Sequence, residues 1–179
     1  MILVVGGRSK IGSALIDELV ERREQVRALV RSGEGGDSFP GAVETVVGDL
    51  ADAGSLNAAM HGAEKVFLLC GPTPDEVQLN KNAIDAADGA DVTLFVRSSI
   101  LGSDPSSAAT FVKDHGVCDS YLRESGVPCA IVHPNLFLQN VPENTIPSIG
   151  ADGNFYANAG DARISMVDTC DVASVAAVR

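Results

Sequence analysis

Apolar residues along this chain gather in short, nearly unbroken runs: Ile2–Val5, Val26–Val30, Val43–Val47, Val66–Cys70, Val92–Val96 and Ala130–His133. Runs of that length without polar alternation predict strands buried on both faces. Between them the pattern turns helical. Ile11, Leu15, Ile16, Leu19 and Val20 share one face of a predicted helix over Ile11–Glu24, and further helices are predicted over Ser55–His61, Asp75–Ala87 and Ala108–Glu124. Alternation of the two predicts an α/β fold with a doubly wound, mostly parallel sheet, in which ligands bind beyond the carboxyl ends of the strands. Gly6, Arg31, Asp49, Gly71 and Ser98 fall at those ends. The stretch Val141–Gly160 is rich in Pro, Asn and Gly and reads as a loop before a strand-like run, Ala162–Val167. Asp168 is placed to cap a last helix over Thr169–Val178. No repeat or linker divides the chain, so residues 1–179 read as one domain, with 141–167 as an excursion on its substrate side.

The first strand runs directly into Gly6-Gly7-Arg8-Ser9-Lys10-Ile11-Gly12. Gly6 can turn the chain where a Cβ would clash, and Gly12 lets the helix approach the strand. Backbone N–H groups at the helix start can then hold a pyrophosphate at the positive end of the dipole. This is the nucleotide end of a Rossmann unit, with Ser9 where the Gly-x-x-Gly-x-x-Gly spacing places its middle glycine. The competing reading is a strand-to-helix turn that holds no ligand. An NAD-preferring site carries Asp or Glu at the end of the second strand, whereas this chain carries Arg31. Arg31 and Arg8 together suit a 2′-phosphate, so the expected cofactor is NADP(H) in preference to NAD(H).

Composition narrows the classes further. A net charge of −11 without a Lys/Arg-rich run excludes unaided binding to nucleic acid or to an anionic membrane surface. Cys70, Cys118, Cys129 and Cys170 are widely spaced, with no Cys-x-x-Cys pair, so reduced, packed thiols are expected rather than a zinc site or a disulfide framework. His61, His115 and His133 are scattered, and neither a metal-ligand spacing nor Gly-x-Ser-x-Gly occurs. The chain opens on Met1 and a strand, so a cytoplasmic protein is expected.

Taken in order, the glycine turn, Ala28-Leu29-Val30-Arg31, Val47-Gly48-Asp49-Leu50, Leu68-Leu69-Cys70-Gly71-Pro72, Ser98-Ser99, Tyr121-Leu122-Arg123-Glu124-Ser125-Gly126, His133-Pro134-Asn135 and Val167-Asp168 resemble the NmrA-like group of atypical short-chain dehydrogenases/reductases. The resemblance covers nearly all of the chain. It implies an NAD(P)-binding Rossmann domain in a group that includes NAD(P)H-dependent quinone reductases, other small-molecule reductases and nucleotide-sensing regulators. Members usually continue past the position of Arg179, and the continuation helps form the substrate pocket, so little or no C-terminal substrate domain is expected here. The Tyr-x-x-x-Lys pair of classical members is replaced by Phe111 and His115.

The expected cofactor-binding set is the turn itself (Gly6, Arg8, Ser9, Lys10, Ile11 and Gly12) with Arg31, Asp49, Leu50, Cys70, Gly71, Pro72 and Ser98. The family match suggests that Asp49 accepts from the adenine amino group, and a turn or helix-capping role is the other reading. Gly71 and Pro72 let the chain pass close to the cofactor, and Cys70 packs as a small apolar group. The expected catalytic set is Ser99, His115 and Asn135. A strand-end hydroxyl can position a substrate carbonyl, an imidazole can supply a proton, and an amide can hold the nicotinamide carboxamide or the substrate. Each has a structural reading beside it, and Tyr121 reads as helix packing. The leading function is hydride transfer from NADPH to a quinone or similar carbonyl acceptor, which needs little acid assistance. A non-catalytic NADP(H) sensor and a shortened, inactive paralogue are the alternatives, and a homodimer is compatible with each.

Overall fold

The computed structural model describes residues 1–31, 39–154, 160–161 and 163–178. Six strands form one sheet: β1 (Ile2–Val5), β2 (Val26–Val30), β3 (Glu44–Val47), β4 (Lys65–Leu68), β5 (Leu94–Ser98) and β6 (Cys129–Val132). Their order is β3-β2-β1-β4-β5-β6, and every pair is parallel. The order reverses direction between β1 and β4, which makes that boundary the switch point of a doubly wound sheet.

Helices α1 (Lys10–Glu21), α2 (Ala53–Met60), α3 (Glu76–Asp88) and α4 (Thr110–Glu124) fall between the strands as the spacing predicts. One face of the sheet packs Leu3, Val5, Leu68 and Phe95 against Leu56, Met60, Ile84 and Leu122 of α2, α3 and α4. The other packs Val4, Ala28, Phe67 and Val96 against Ile11, Leu15, Ile16 and Leu19 of α1. Helix α6 (Thr169–Ala177) joins that second cluster through Val172, Ala173 and Ala176. As expected, Asp168 caps it, accepting from the Cys170 N–H at 2.8 Å.

Four details depart from the sequence reading. Strand β3 is an edge, with Val47 63% exposed, and β6 is half-buried throughout, so burial on both faces holds only for the inner strands. Strand β4 ends before Leu69 and Cys70, which belong to the turn that follows. The run ending in Val167 contributes only β8 (Met166–Val167), which pairs in parallel with β7 (Leu136–Phe137), and Ala162 lies outside the described residues. Most of the expected loop is a helix, α5 (Asn140–Asp152). Pro142 sits in its first turn, where a missing N–H costs nothing, and Gly153 ends it in the left-handed region at φ 74°.

Ser9 has a structural use that the glycine spacing hides. Its hydroxyl accepts from the Gly12 N–H at 2.9 Å and caps α1. Replacing it with alanine removes that acceptor and is expected to lower stability by about 1 kcal/mol, whereas Ser9→Gly costs only a few tenths. Urea unfolding of the two variants checks this, and equal losses would contradict the capping role.

Candidate functional site

A cavity of about 570 Å³ opens beyond the carboxyl ends of the strands at the switch point. Gly6, Arg8 and Ser9 line it from the β1–α1 turn, Arg31 from the end of β2, Asp49 and Leu50 from the turn after β3, and Cys70, Gly71 and Pro72 from the turn after β4. Nine of the residues expected to hold a cofactor are thus brought to one wall. The turn is tight because two glycines let backbone meet backbone. A Cβ on Gly6, at φ +84°, would sit 2.3 Å from the Leu69 carbonyl oxygen, and one on Gly12 would sit 2.2 Å from the Gly6 oxygen.

Four expected residues lie outside the lining. Ile11 is buried in the core, Gly12 supports the turn from behind, and Ser98 is buried at the end of β5. Lys10 reaches away to α5, where its ammonium donates to Asn140 Oδ1 at 3.0 Å and to Glu143 Oε2 at 2.6 Å. Asp49 lines the cavity, and its Oδ1 accepts from the Ala51 N–H at 2.8 Å, which is the turn role among its two readings. Burial pushes the Cys70 thiol up to about 11, so it is no ready nucleophile at neutral pH, and its side chain is half-buried at the cavity wall.

Ser99 and His115 are drawn together, but into a buried polar cluster between β5, α3 and α4. Arg97 points into the core from the middle of β5. Its guanidinium donates to Asn80 Oδ1 at 2.8 Å, pairs with Asp119 and reaches His115 Nδ1 at 3.2 Å. Asp119 also accepts from Ser99 Oγ at 2.8 Å and Ser103 Oγ at 2.7 Å, and lies 3.0 Å from His133 Nε2. Burial alone would raise its carboxyl, yet Ser103, Arg97, Ser99 and His133 together hold it below the usual aspartate range. Burial and the adjacent Arg97 push His115 down to about 4, leaving it neutral at pH 7. Its Nε2 stands 3.3 Å from Glu76 Oε1, a buried oxygen with no hydrogen-bond partner among the described residues. Burial raises the Glu76 carboxyl against the pull of Arg97, and because His115 is neutral this contact is not an ion pair at pH 7.

Asn135 is separate. Its Nδ2 donates to Ser165 Oγ and its Oδ1 accepts from the Leu136 N–H at 2.9 Å, tying the loop after β6 to the approach to β8. Tyr121 donates to Asp85 Oδ1 at 2.6 Å, consistent with a packing role. Phe111 is exposed and stacks edge-on against His115 at 4.8 Å, so neither expected stand-in for the Tyr-Lys pair lines the cavity. Glu76, Asn80, Arg97 and Asp119 were not singled out in the sequence. The available signals were an arginine inside an apolar strand and polar residues at helical i, i+4 spacing, 76 with 80 and 115 with 119.

Residues 6–178 match the NAD(P)H-binding family. The chain belongs to that family. Among proteins similar to this NAD(P)H-binding chain, an "NAD(P)H azoreductase" of Xenophilus azovorans is 36% identical over 177 residues, covering 98% of this chain and 62% of that protein. A "(4-alkanoyl-5-oxo-2,5-dihydrofuran-3-yl)methyl phosphate reductase" of Streptomyces griseus is 32% identical over 179 residues, 98% of this chain and 61% of that one. The chain therefore spans less than two thirds of the length of these relatives. An NADPH-dependent quinone oxidoreductase of Escherichia coli, solved with NADPH, superposes with a TM-score of 0.88 at 24% identity, over 99% of this chain and 63% of that one. Such a likeness establishes the shared fold.

The cavity fits what an NAD(P)H-binding chain has to hold. Backbone contacts at Gly6 and Gly12 hold the turn tight at the start of α1, and two arginines stand at the wall for phosphate charge. No helix among the described residues is long and apolar enough to cross a membrane.

The buried cluster generates a pH signature. His115 titrates near 4 in the folded chain against 6.5 when unfolded, so its neutral burial contributes stability above that upper value that is lost as pH falls from 6.5 towards 4. Glu76, raised by burial, acts with the opposite sign, so comparison with a variant isolates the histidine. The urea midpoint of the parent chain is expected to fall more steeply over that range than that of His115→Gln. Parallel curves would contradict the assignment.

Proposed function

We propose that this chain is the NADPH-holding part of a reductase that delivers hydride to a quinone or azo acceptor. The observation that carries the reading is the cavity at the switch point, where the glycine turn and both arginines share one wall. The names borne by the relatives support the acceptor class. In this reading the α1 N-terminus and the turn through Ser9 hold the pyrophosphate, Arg8 and Arg31 take the 2′-phosphate, and Asp49 and Leu50 flank the adenosine. Gly71 and Pro72 keep the turn after β4 low beneath the dinucleotide, with Cys70 and Ser98 packed beside it. When bound, the reduced nicotinamide supplies a hydride and the chain supplies orientation and exclusion of water. Ser99 and His115 act through the rigid cluster they anchor, and Asn135 by fixing the loop after β6. Lys10 secures α5 against the phosphate turn.

Two titrations and one assay test this. NADPH is expected to bind more tightly than NADH, and Arg31→Ala to weaken NADPH about tenfold while leaving NADH unchanged. Oxidation of NADPH by a panel of quinones and azo dyes then reads the activity. Equal affinity for the two nucleotides would remove the NADP(H) preference. Tight binding without turnover would identify a nucleotide sensor, the reading favoured by the buried, neutral His115.

A further inference from the structure

His133 follows β6 directly, at the same edge of the sheet as the turn after β4 and the hydroxyl of Ser99 after β5. That edge is where a doubly wound sheet receives its ligand. Unlike the carboxylate it contacts, His133 keeps contact with solvent: its side chain is 31% exposed, against 1% for Asp119. Its Nε2 lies 3.0 Å from Asp119 Oδ2. An ionised carboxylate only accepts, so Nε2 carries the hydrogen and the imidazole is steered by a fixed anion from behind. Asp119 is itself immobilised by Arg97, Ser99 and Ser103. Nδ1 has no hydrogen-bond partner among the described residues. A nitrogen base oriented by a buried carboxylate, with its second nitrogen free, is the arrangement by which proteins move protons.

We propose that His133 is the proton donor to the acceptor, with Asp119 as its positioning residue. The inference rests on the reductase reading above. The acceptor gains a hydride from C4 of the dihydronicotinamide, which is oxidised to the nicotinamide as the acceptor's double bond is reduced. The electron pair left on the acceptor's heteroatom takes the proton from Nδ1 of the imidazolium. Neutral His133 then regains a proton from water. The groups facing His133 are Asp119 of α4 in direct contact, with the Arg97 guanidinium of β5 and the neutral His115 of α4 behind it.

The test measures NADPH oxidation by an azo dye and a quinone across about pH 5 to 9, on the full chain and on His133→Gln and Asp119→Asn, with NADPH binding titrated in each. The parent rate is expected to fall on the alkaline side. His133→Gln is expected to lower kcat about a hundredfold and to flatten that limb while NADPH binds as before. Asp119→Asn is expected to lower kcat while NADPH binds as before, and histidine nitrogen NMR without acceptor to show the Nε2 hydrogen bond of His133 altered in that variant. If Asp119→Asn does not fold, His133→Gln decides. A parent chain that turns over while His133→Gln keeps both rate and pH profile overturns the proposal and leaves the reductase reading standing. A parent chain that binds NADPH and reduces no acceptor overturns both.

Discussion

Two carbonyl oxygens set the geometry of this molecule. The oxygen of Gly6 lies where any side chain at position 12 would begin, and the oxygen of Leu69 lies where one at position 6 would begin. The β1–α1 turn is therefore clamped between its own helix and the turn after β4, with no room for even a methyl group on either side. That closeness brings the helix N-terminus to the edge of the sheet at the switch point. The cavity wall is a consequence: Arg8 and Ser9 can share it with Cys70 and Gly71 only because the two turns nearly touch. Relaxing either glycine would push the turns apart and separate the phosphate-side groups from the strand-side ones.

The second constraint is a charge where a strand should be apolar. Arg97 occupies a core-facing position of β5 and is 1% exposed, so it must be fully satisfied or it would unfold the sheet's centre. Asn80, Asp119 and His115 meet that demand from two helices. Hydrophobic residues would fill the same space at less risk, so the cluster is better understood through what it fixes than through what it adds to stability. It locks Ser99, Ser103 and His133, which lie after β5 and β6, to one carboxylate. The edge of the sheet that faces a ligand is thereby held from below.

Much of this was legible in the residues. The inner strands are continuous apolar runs because helices cover both faces, and the glycine turn announces the cavity wall because only glycine tolerates the contacts found there. The helix α5 was not legible: its prolines, asparagines and glycine argue for a loop, and the first-turn position of Pro142 becomes apparent only once the start of the helix is known. Nor is Ser9 legible as a cap, since in the glycine spacing it stands only as the residue in place of the middle glycine. The polar cluster was hidden for a different reason. Its members are far apart in sequence, 76 and 80 on one helix, 97 on a strand, 115 and 119 on another helix, so only the fold reveals that they neutralise one another. His115 and Ser99 stand out in the sequence as single residues, and their partners do not.

A nicotinamide dinucleotide held in the switch-point cleft would touch three turns at once, and amide chemical-shift mapping of the labelled chain with NADPH reads them residue by residue. The largest changes are expected on Gly6–Gly12, on Gly48–Leu50 and on Leu69–Thr73, the three turns around the cavity. Changes confined to other surfaces, or none at saturating nucleotide, would contradict binding there.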